Sequence, residues 1–513
     1  MIKLFVIIKN AAFKTKSFSN WFTHYLPPFF NVQNYFILTH FFDKINIMNK
    51  YYLYITGCDM NYSDAERIAT VFNKYGFSIA SSEKEADIIV AVACSVREKA
   101  VHKMLGKINQ WNHESRIMNQ ELNLKNPIIM VTGCILPEDK KKFEERADLV
   151  FSIDDIGGLE RFLISNIQYP ISNQYPISNE QYLSITPQYQ SKYSANIPIM
   201  TGCDNFCTYC AVPYTRGREV SRPEEDILEE VRNLVKKGYK EITLLGQNVN
   251  SYGIRRSGGT GEIGGVNIPT NPTNPKYLTN PENNSEFVGL LKKIDQLEGN
   301  FWVRFYSNHP KDFSDELIDF LAHSKHFCHY IHLPLQSGDD EIIKKMNRHY
   351  TAKQYLDIIT KIRNKISDCT ITTDVIVGFP GETEEQFKNT VKVLEKVGFD
   401  MVFISEYSPR SGTPAAKMKD DVPHEEKGSR KKYLNDEVLA KSVLKNNKKL
   451  IGKTEKILIY KKDKNGFWVG KTAGLKDVRV TKVVEGAFFD VGSFVKVKIT
   501  KATSWGLEGE LAQ

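Results

Sequence analysis

Short apolar runs alternate with amphipathic stretches along most of the chain. From Tyr51 the β-rich run "YYLYITG" is followed by a helical stretch near Asp64 to Tyr75, then "ADIIVAVA", a helical stretch near Arg97 to Trp111, and "PIIMVTG". Apolar runs separated by helix-length intervals predict a parallel sheet, because parallel neighbours need a crossover rather than a hairpin. A second series carries the strand candidates "ANIPIM", "EITLLG", "FWVRFYS", "YIHLPLQ", "TITTDVIVGF" and "MVFISEYS". Six such units predict an incomplete (β/α)6 barrel, with its chemistry at the C-terminal strand ends. After a Lys-rich helix, "EKILIYKKDKNGFWVGKTAGLKDVRV" and further short runs with Gly turns predict a small all-β barrel of about OB-fold size. The fold class is therefore α/β, with an all-β module at the C-terminus.

The pattern fails in three places, and these set the domain limits. Residues 1–47 hold only short apolar runs such as Leu4 to Ile8, far from the roughly 20 apolar residues of a membrane span. They also lack the apolar core and cleavage site of a signal peptide, and read as an upstream extension or a disordered tail. Residues 166–192, with "NIQYPISNQYPISNEQY", have no periodicity that would build a core and read as a low-complexity linker. A Gly, Pro and Asn-rich insertion at 255–284 reads as a surface excursion from the second barrel loop. The expected division is an N-terminal domain at 48–165, the linker, a barrel at 193–440 and a C-terminal module at 446–513.

A length of 513 residues agrees with several domains, and 41% hydrophobic with 25% charged residues excludes wholesale disorder. The net charge is +8, and its distribution matters more than its size. From Asn446 onward there are 14 Lys/Arg against 7 Asp/Glu, so the C-terminal module is the part suited to a polyanion. Eight cysteines in so long a chain do not make a secreted disulfide framework. Metal or redox chemistry in a reducing cytoplasm is expected instead.

Six of the cysteines fall into two sets of three. Cys203, Cys207 and Cys210 in "GCDNFCTYC" follow the first strand of the six-unit series as C-x3-C-x2-C. Three thiolates in one loop suit three irons of a [4Fe-4S] cluster, leaving the fourth iron open; a zinc site usually wants four ligands, and a distant His completing a zinc knuckle is the alternative. Cys58, Cys94 and Cys134 each end an expected parallel strand, and such ends gather on one edge of a sheet. Small neighbours Gly57, Ala93 and Gly133 allow close approach of the backbone to a cluster. Three buried core cysteines are the competing reading. Cys328 and Cys369 have no partner motif and read as structural.

On "GCDMN", "CSVREKA", "GCDNFCTYCAVPYTRGREVSRP", "LLGQNVNSYG", "HLPLQSG" and "VIVGFPGET", the chain from Tyr51 to Leu511 resembles the radical S-adenosylmethionine methylthiotransferase family. It most resembles the branch that forms 2-methylthio-N6-dimethylallyladenosine from isopentenyladenosine 37 of tRNA. The resemblance implies an N-terminal methylthiotransferase domain, a radical barrel and a C-terminal TRAM domain. It also implies two [4Fe-4S] clusters, one on Cys203, Cys207 and Cys210 and an auxiliary one on Cys58, Cys94 and Cys134, with S-adenosyl-L-methionine as cosubstrate. Tyr209 would lie by the adenine, Gly246, Gln247 and Asn248 by the methionine amine, and Gln336, Ser337 and Asp374 near the ribose or carboxylate. Arg216, Arg218 and Arg222, close behind the cluster loop, are expected to meet RNA phosphates.

The implied partners are a tRNA anticodon loop, an electron donor and a sulfur donor, with no membrane. His332 is expected to be a packed polar residue. Asp59, Val92 with Ala93, and Thr201 depart from the family's usual Gln, Asn-Thr and Glu, which touches surrounding hydrogen bonds rather than ligands. Two other functions stay open at this point: a sister methylthiotransferase with another substrate, and a non-catalytic iron-sulfur RNA-binding protein.

Overall fold

The computed structural model describes residues 50–122, 126–166, 182–253, 286–483 and 489–512. The extension 1–47, the insertion 255–284 and residues 167–181 of the low-complexity tract lie outside the described residues.

The N-terminal domain runs β1 (Lys50–Ile55), α1 (Asp59–Lys74), β2 (Ser78–Ile79), β3 (Ile88–Cys94), α2 (Glu98–Leu122), β4 (Ile128–Cys134), α3 (Pro137–Glu144), β5 (Leu149–Val150) and α4 (Ile156–Asn166). Its five strands form a parallel sheet in the order β2-β1-β3-β4-β5. Every residue of β3 is buried, as a central strand between two helical layers must be. One face packs on Ile68, Phe72 and Leu159, the other on Met104, Ile108, Trp111 and Phe143. Helix α1 starts at Asp59 rather than near Asp64, because Cys58 takes an extended N-cap conformation and Asp59 adds favourable negative charge to the first turn. Residues 182–192 are not linker: Tyr182, Leu183 and Ile185 bury in the N-terminal core. Apolar side chains that return at the end of the polar tract bring the chain back onto α1.

The second domain carries β6 (Ser194–Pro198), the short pair β7 (Met200–Thr201) and β8 (Val220–Ser221), then β9 (Glu241–Leu245), β10 (Trp302–Phe305), β11 (Tyr330–His332), β12 (Thr370–Val377) and β13 (Met401–Glu406). Strands β6, β9 and β10 form one parallel sheet and β11, β12 and β13 another, joined by the parallel bridge Val303↔Phe327. The result is the open six-strand arc that the sequence pattern predicts. Val303, Ile331, Ile371, Val375 and Val402 pack outward against the helices. Alternation then turns Arg304, Tyr330, His332, Thr372 and Asp374 to the concave face. Where the insertion leaves the barrel, a Cβ at Gly253 would fall 2.1 Å from Glu286 Oε2, so the chain departs and returns at one point.

Three helical pieces, His424–Tyr433, the π-helical Leu434–Leu439 and Ala440–Lys448, lead into β14 (Thr454–Lys462), β15 (Trp468–Thr472), β16 (Asp477–Lys482), β17 (Phe494–Thr503) and β18 (Gly506–Leu511). These close into a barrel in the order β14-β15-β16-β18-β17 around Ile457, Ile459, Val478, Val497 and Ile499. The barrel is no free tail. Leu458 packs with Trp302, Cys328 and Tyr330, and Lys476 Nζ lies 2.8 Å from Asp400 Oδ1. Arg304, 2% exposed, donates to the Thr472 carbonyl at 3.1 Å. Among the described residues no helix is long and apolar enough to cross a membrane.

Candidate active site

The β7–β8 pair closes residues 202–219 into a loop, and that loop carries one cysteine triad. Gly202 enters it at φ +76, where a Cβ would fall 2.0 Å from the Arg218 carbonyl oxygen, so only glycine fits the pinch. Cys203 N donates to Gly217 O and Cys210 N to Cys207 O. From outside, Thr208 N donates to Met346 O and Asn347 Nδ2 to the carbonyls of Asn205 and Phe206. Buried Arg348 donates to the Tyr209 hydroxyl at 3.3 Å and lies 3.7 Å from Cys207 Sγ, bringing positive charge to the thiols.

Beside this loop, the turn after β9 holds two buried acceptors with no hydrogen-bond partner among the described residues, Gln247 Oε1 and Asn248 Oδ1. A third, Asn308 Oδ1, lies on the loop after β10. Unpaired buried oxygens are costly and suit a ligand that brings N–H donors, as an α-amino group does. Gly246 has Met200 so near that a Cβ would fall 2.5 Å from its Cγ. Gln336 sits at φ +67, held by Asp374 O and Ile376 N. Asp374 keeps a partly exposed carboxylate, with Oδ2 3.1 Å from His332 Nε2, while His332 Nδ1 lies 3.0 Å from Thr372 Oγ1. Ser337 is different: it is fully buried, and its hydroxyl faces Thr390 and accepts from Asp339 N. It shapes a turn and does not face the concave surface.

The other triad gathers on the sheet edge. Cys94 and Cys134 are register partners at the ends of β3 and β4, and Cys58 is the N-cap of α1. Asn61 ties their loops together, its Nδ2 donating to Thr56 O at 2.6 Å and Ala93 O at 3.0 Å. A Cβ on Gly57 would press on Asn61 and Cys94, so this glycine does permit close approach. Gly133 has another reason: its Cβ would strike the Ala93 carbonyl oxygen at 2.4 Å, a constraint of strand packing. Burial holds the free Cys134 thiol up at about 12, opposed by Arg216 and reinforced by Cys94 and Cys58. Metal binding deprotonates such thiols, which a buried cysteine without a metal resists. Among the described residues no three His, Cys, Asp or Glu side chains meet at one point as a lone metal ion would need. Three thiols in each set are donors of the kind a [4Fe-4S] cluster with one open iron would take.

Three family profiles match the chain: the Radical SAM superfamily over residues 197–394, the uncharacterized protein family UPF0004 over 50–153, and the TRAM domain over 448–512. A tRNA-2-methylthio-N(6)-dimethylallyladenosine synthase of Clostridium botulinum (strain Hall) is 38% identical over 481 residues, 91% of this chain and 98% of that protein. The chain belongs to that synthase family. A synthase of the same name from Carboxydothermus hydrogenoformans is 38% identical over 90% of this chain and 99% of its own. Among solved structures, the radical S-adenosylmethionine methyltransferase TsrM of Kitasatospora setae shares 12% identity, with a TM-score of 0.47 over 72% of this chain and 77% of that one. Membership of the radical superfamily brings one [4Fe-4S] cluster and S-adenosylmethionine.

In this synthase family member, two of the three arginines expected to meet RNA are buried in ion pairs with acids of the same chain. Arg216 is 3% exposed and pairs with Asp64 of the N-terminal domain at 2.6 Å. Arg222 is buried against Glu230. Arg218 binds Asp204 through two nitrogens, at 2.8 and 3.1 Å, and so closes the loop. Each cation meets an acid that sequence distance hides, and the expectation of phosphate contacts fails for Arg216 and Arg222. Sequence reasoning also missed Asn61, Asn308 and Arg348. The first stands in the quoted "GCDMN", and its spacing from Cys58 on one helical turn was the available signal.

Proposed function

We propose that the chain converts N6-isopentenyladenosine 37 of tRNA to its 2-methylthio derivative, using one [4Fe-4S] cluster on each cysteine triad. The observation that supports this most is the pair of separate triads on facing loops of two docked domains, in a chain of the synthase family. Cys203, Cys207 and Cys210 would hold a cluster that supplies an electron for reductive cleavage of S-adenosylmethionine, and Cys58, Cys94 and Cys134 one that supplies sulfur. The protein orients and shields. Gln247, Asn248 and Asn308 would accept from the amine, Tyr209 would lie by the adenine, and Gln336 and Asp374 would receive polar groups of the ribose or carboxylate. Phe403, 46% exposed and edge-on to His332, offers an aromatic wall to the incoming base. A sulfur donor and an electron donor in the cytoplasm complete the cycle.

Mass analysis of nucleosides after anaerobic turnover tests the assignment: isopentenylated tRNA yields the methylthio product and tRNA lacking the isopentenyl group does not. Equal turnover of both would place the chain with a sister substrate. Failure to cleave S-adenosylmethionine at all would favour a non-catalytic RNA-binding role.

The RNA contact is assigned to the C-terminal barrel. Lys461, Lys462, Lys496, Lys498 and Lys501 are exposed on its strands, and Trp505, 64% exposed, stands beside a hollow of about 400 Å³ lined by Tyr460 and Arg479. Removing this barrel would uncover Trp302, Tyr330 and Arg304, so charge reversal is the cleaner probe. Lys461→Glu, Lys462→Glu and Lys498→Glu together are expected to weaken tRNA binding by at least tenfold and to flatten its salt dependence, while leaving S-adenosylmethionine cleavage unchanged. Filter binding across a salt series measures it.

A further inference from the structure

Arg216 belongs to the loop of one triad and touches a ligand of the other. Its Nε donates to Cys134 Sγ at 2.9 Å. Its Nη2 donates to Asp64 Oδ2 at 2.6 Å and lies 3.3 Å from Asn61 Oδ1. The same Asn61 binds the carbonyls of Thr56 and Ala93, next to the other two cysteine loops. Asp64 is fully buried and also accepts from the Tyr182 hydroxyl, so the guanidinium is fixed in its plane.

Docking alone does not account for this arrangement. A buried ion pair is a poor way to gain stability, since apolar residues of similar volume do as well or better. A second pair, Arg410 with Asp139, already joins the same two domains. What Arg216 has and Arg410 lacks is the sulfur.

We infer that Arg216 is a positioning residue which holds a cationic hydrogen bond on the Cys134 sulfur and raises the reduction potential of the cluster on Cys58, Cys94 and Cys134. The inference rests on the two-cluster reading above. A donor on a ligand sulfur favours the more negative, reduced form of a cluster, and burial strengthens the effect because water does not screen it. Asp64 and Asn61 aim the donor and keep the guanidinium from turning away, the work of groups that surround a metal centre without touching the metal. The arrangement also links the two triads through one loop, so that the barrel contributes to the electronics of a site whose ligands all lie in the N-terminal domain.

The test uses the full chain with Cys203, Cys207 and Cys210 changed to Ala, so that only the auxiliary cluster is seen. Iron content comes first: about four irons are expected. Absence of iron from this parent would overturn the two-cluster reading and the inference with it. Into the parent go Arg216→Gln, Arg216→Lys, and Arg216→Gln paired with Asp64→Asn, the last leaving no orphaned carboxylate. Midpoint potentials are read by redox titration followed by electron paramagnetic resonance. The expected result is a lower potential in both Gln variants with iron retained, largely restored in Arg216→Lys. An unchanged potential in the paired variant would reduce Arg216 to a docking residue and overturn the inference. Loss of iron from both Gln variants would do the same, since it would show that Arg216 holds the site together rather than tuning it.

Discussion

With Cys203, Cys207 and Cys210 all changed to Ala, the chain is expected to keep about four of about eight irons and to lose S-adenosylmethionine cleavage entirely. The two triads share no ligand, and each is held by its own scaffold. One sits in the loop closed by β7 and β8; the other lies on the ends of β3 and β4 and the start of α1. The barrel loop keeps its shape without its thiols, because Arg218 with Asp204, Thr208 with Met346, and Asn347 with Phe206 still pin it. The reciprocal variant, with Cys58, Cys94 and Cys134 changed to Ala, should cleave S-adenosylmethionine to 5'-deoxyadenosine and yield no methylthiolated nucleoside. Iron analysis and chromatography of the reaction read both. Complete loss of iron from either variant, or stoichiometric zinc in the parent, would contradict the arrangement.

The second large effect falls on domain docking. Arg410 Nη2 lies 2.6 Å from Asp139 Oδ2, with side chains 7% and 5% exposed. Changing Arg410 to Leu leaves the buried Asp139 carboxylate to the half-exposed Lys142, 3.1 Å from Oδ1, at a cost of about 1–3 kcal/mol. The first unfolding transition in urea should move to lower concentration accordingly. Adding Asp139→Leu should recover most of the loss, because two apolar groups leave no unpaired charge. Product formation in Arg410→Leu should fall further than S-adenosylmethionine cleavage does, since cleavage needs one domain and methylthiolation needs both. Equal loss of the two activities would show that Arg410 supports the barrel itself.

The strand series was legible because period and length suffice to place parallel strands, and the register of Cys94 against Cys134 follows from their equal positions at strand ends. The two cysteine sets could be picked out by spacing and by position at strand ends, whereas the turn at Gly246 to Asn248 was suggested by the family resemblance alone and its role stays a proposal. The errors have another physical origin. Arg216 and Arg222 look like free cations until Asp64 and Glu230 are brought beside them by the fold, whereas Arg218 pairs with Asp204 and stays partly exposed. Ser337 was misplaced because a hydroxyl in a Gly-rich turn serves the turn as readily as a ligand, and Thr390, which decides the matter, lies on another element. The docking of the C-terminal module was not legible, because nothing in its own pattern reveals that Thr472 and Lys476 reach Arg304 and Asp400.

That last contact turns the C-terminal barrel into a gauge. Asn447 binds the Thr503 carbonyl, Lys476 binds Asp400, and Leu458 is sealed against Trp302, so the barrel's outward lysines stand at a fixed reach from the concave face. On the proposed RNA contact, an RNA gripped there would be presented by length: the nucleotide whose distance from the gripped backbone matches that reach would arrive at the concave face. A stem shortened or lengthened by a few base pairs would still be held, but with the wrong base in place.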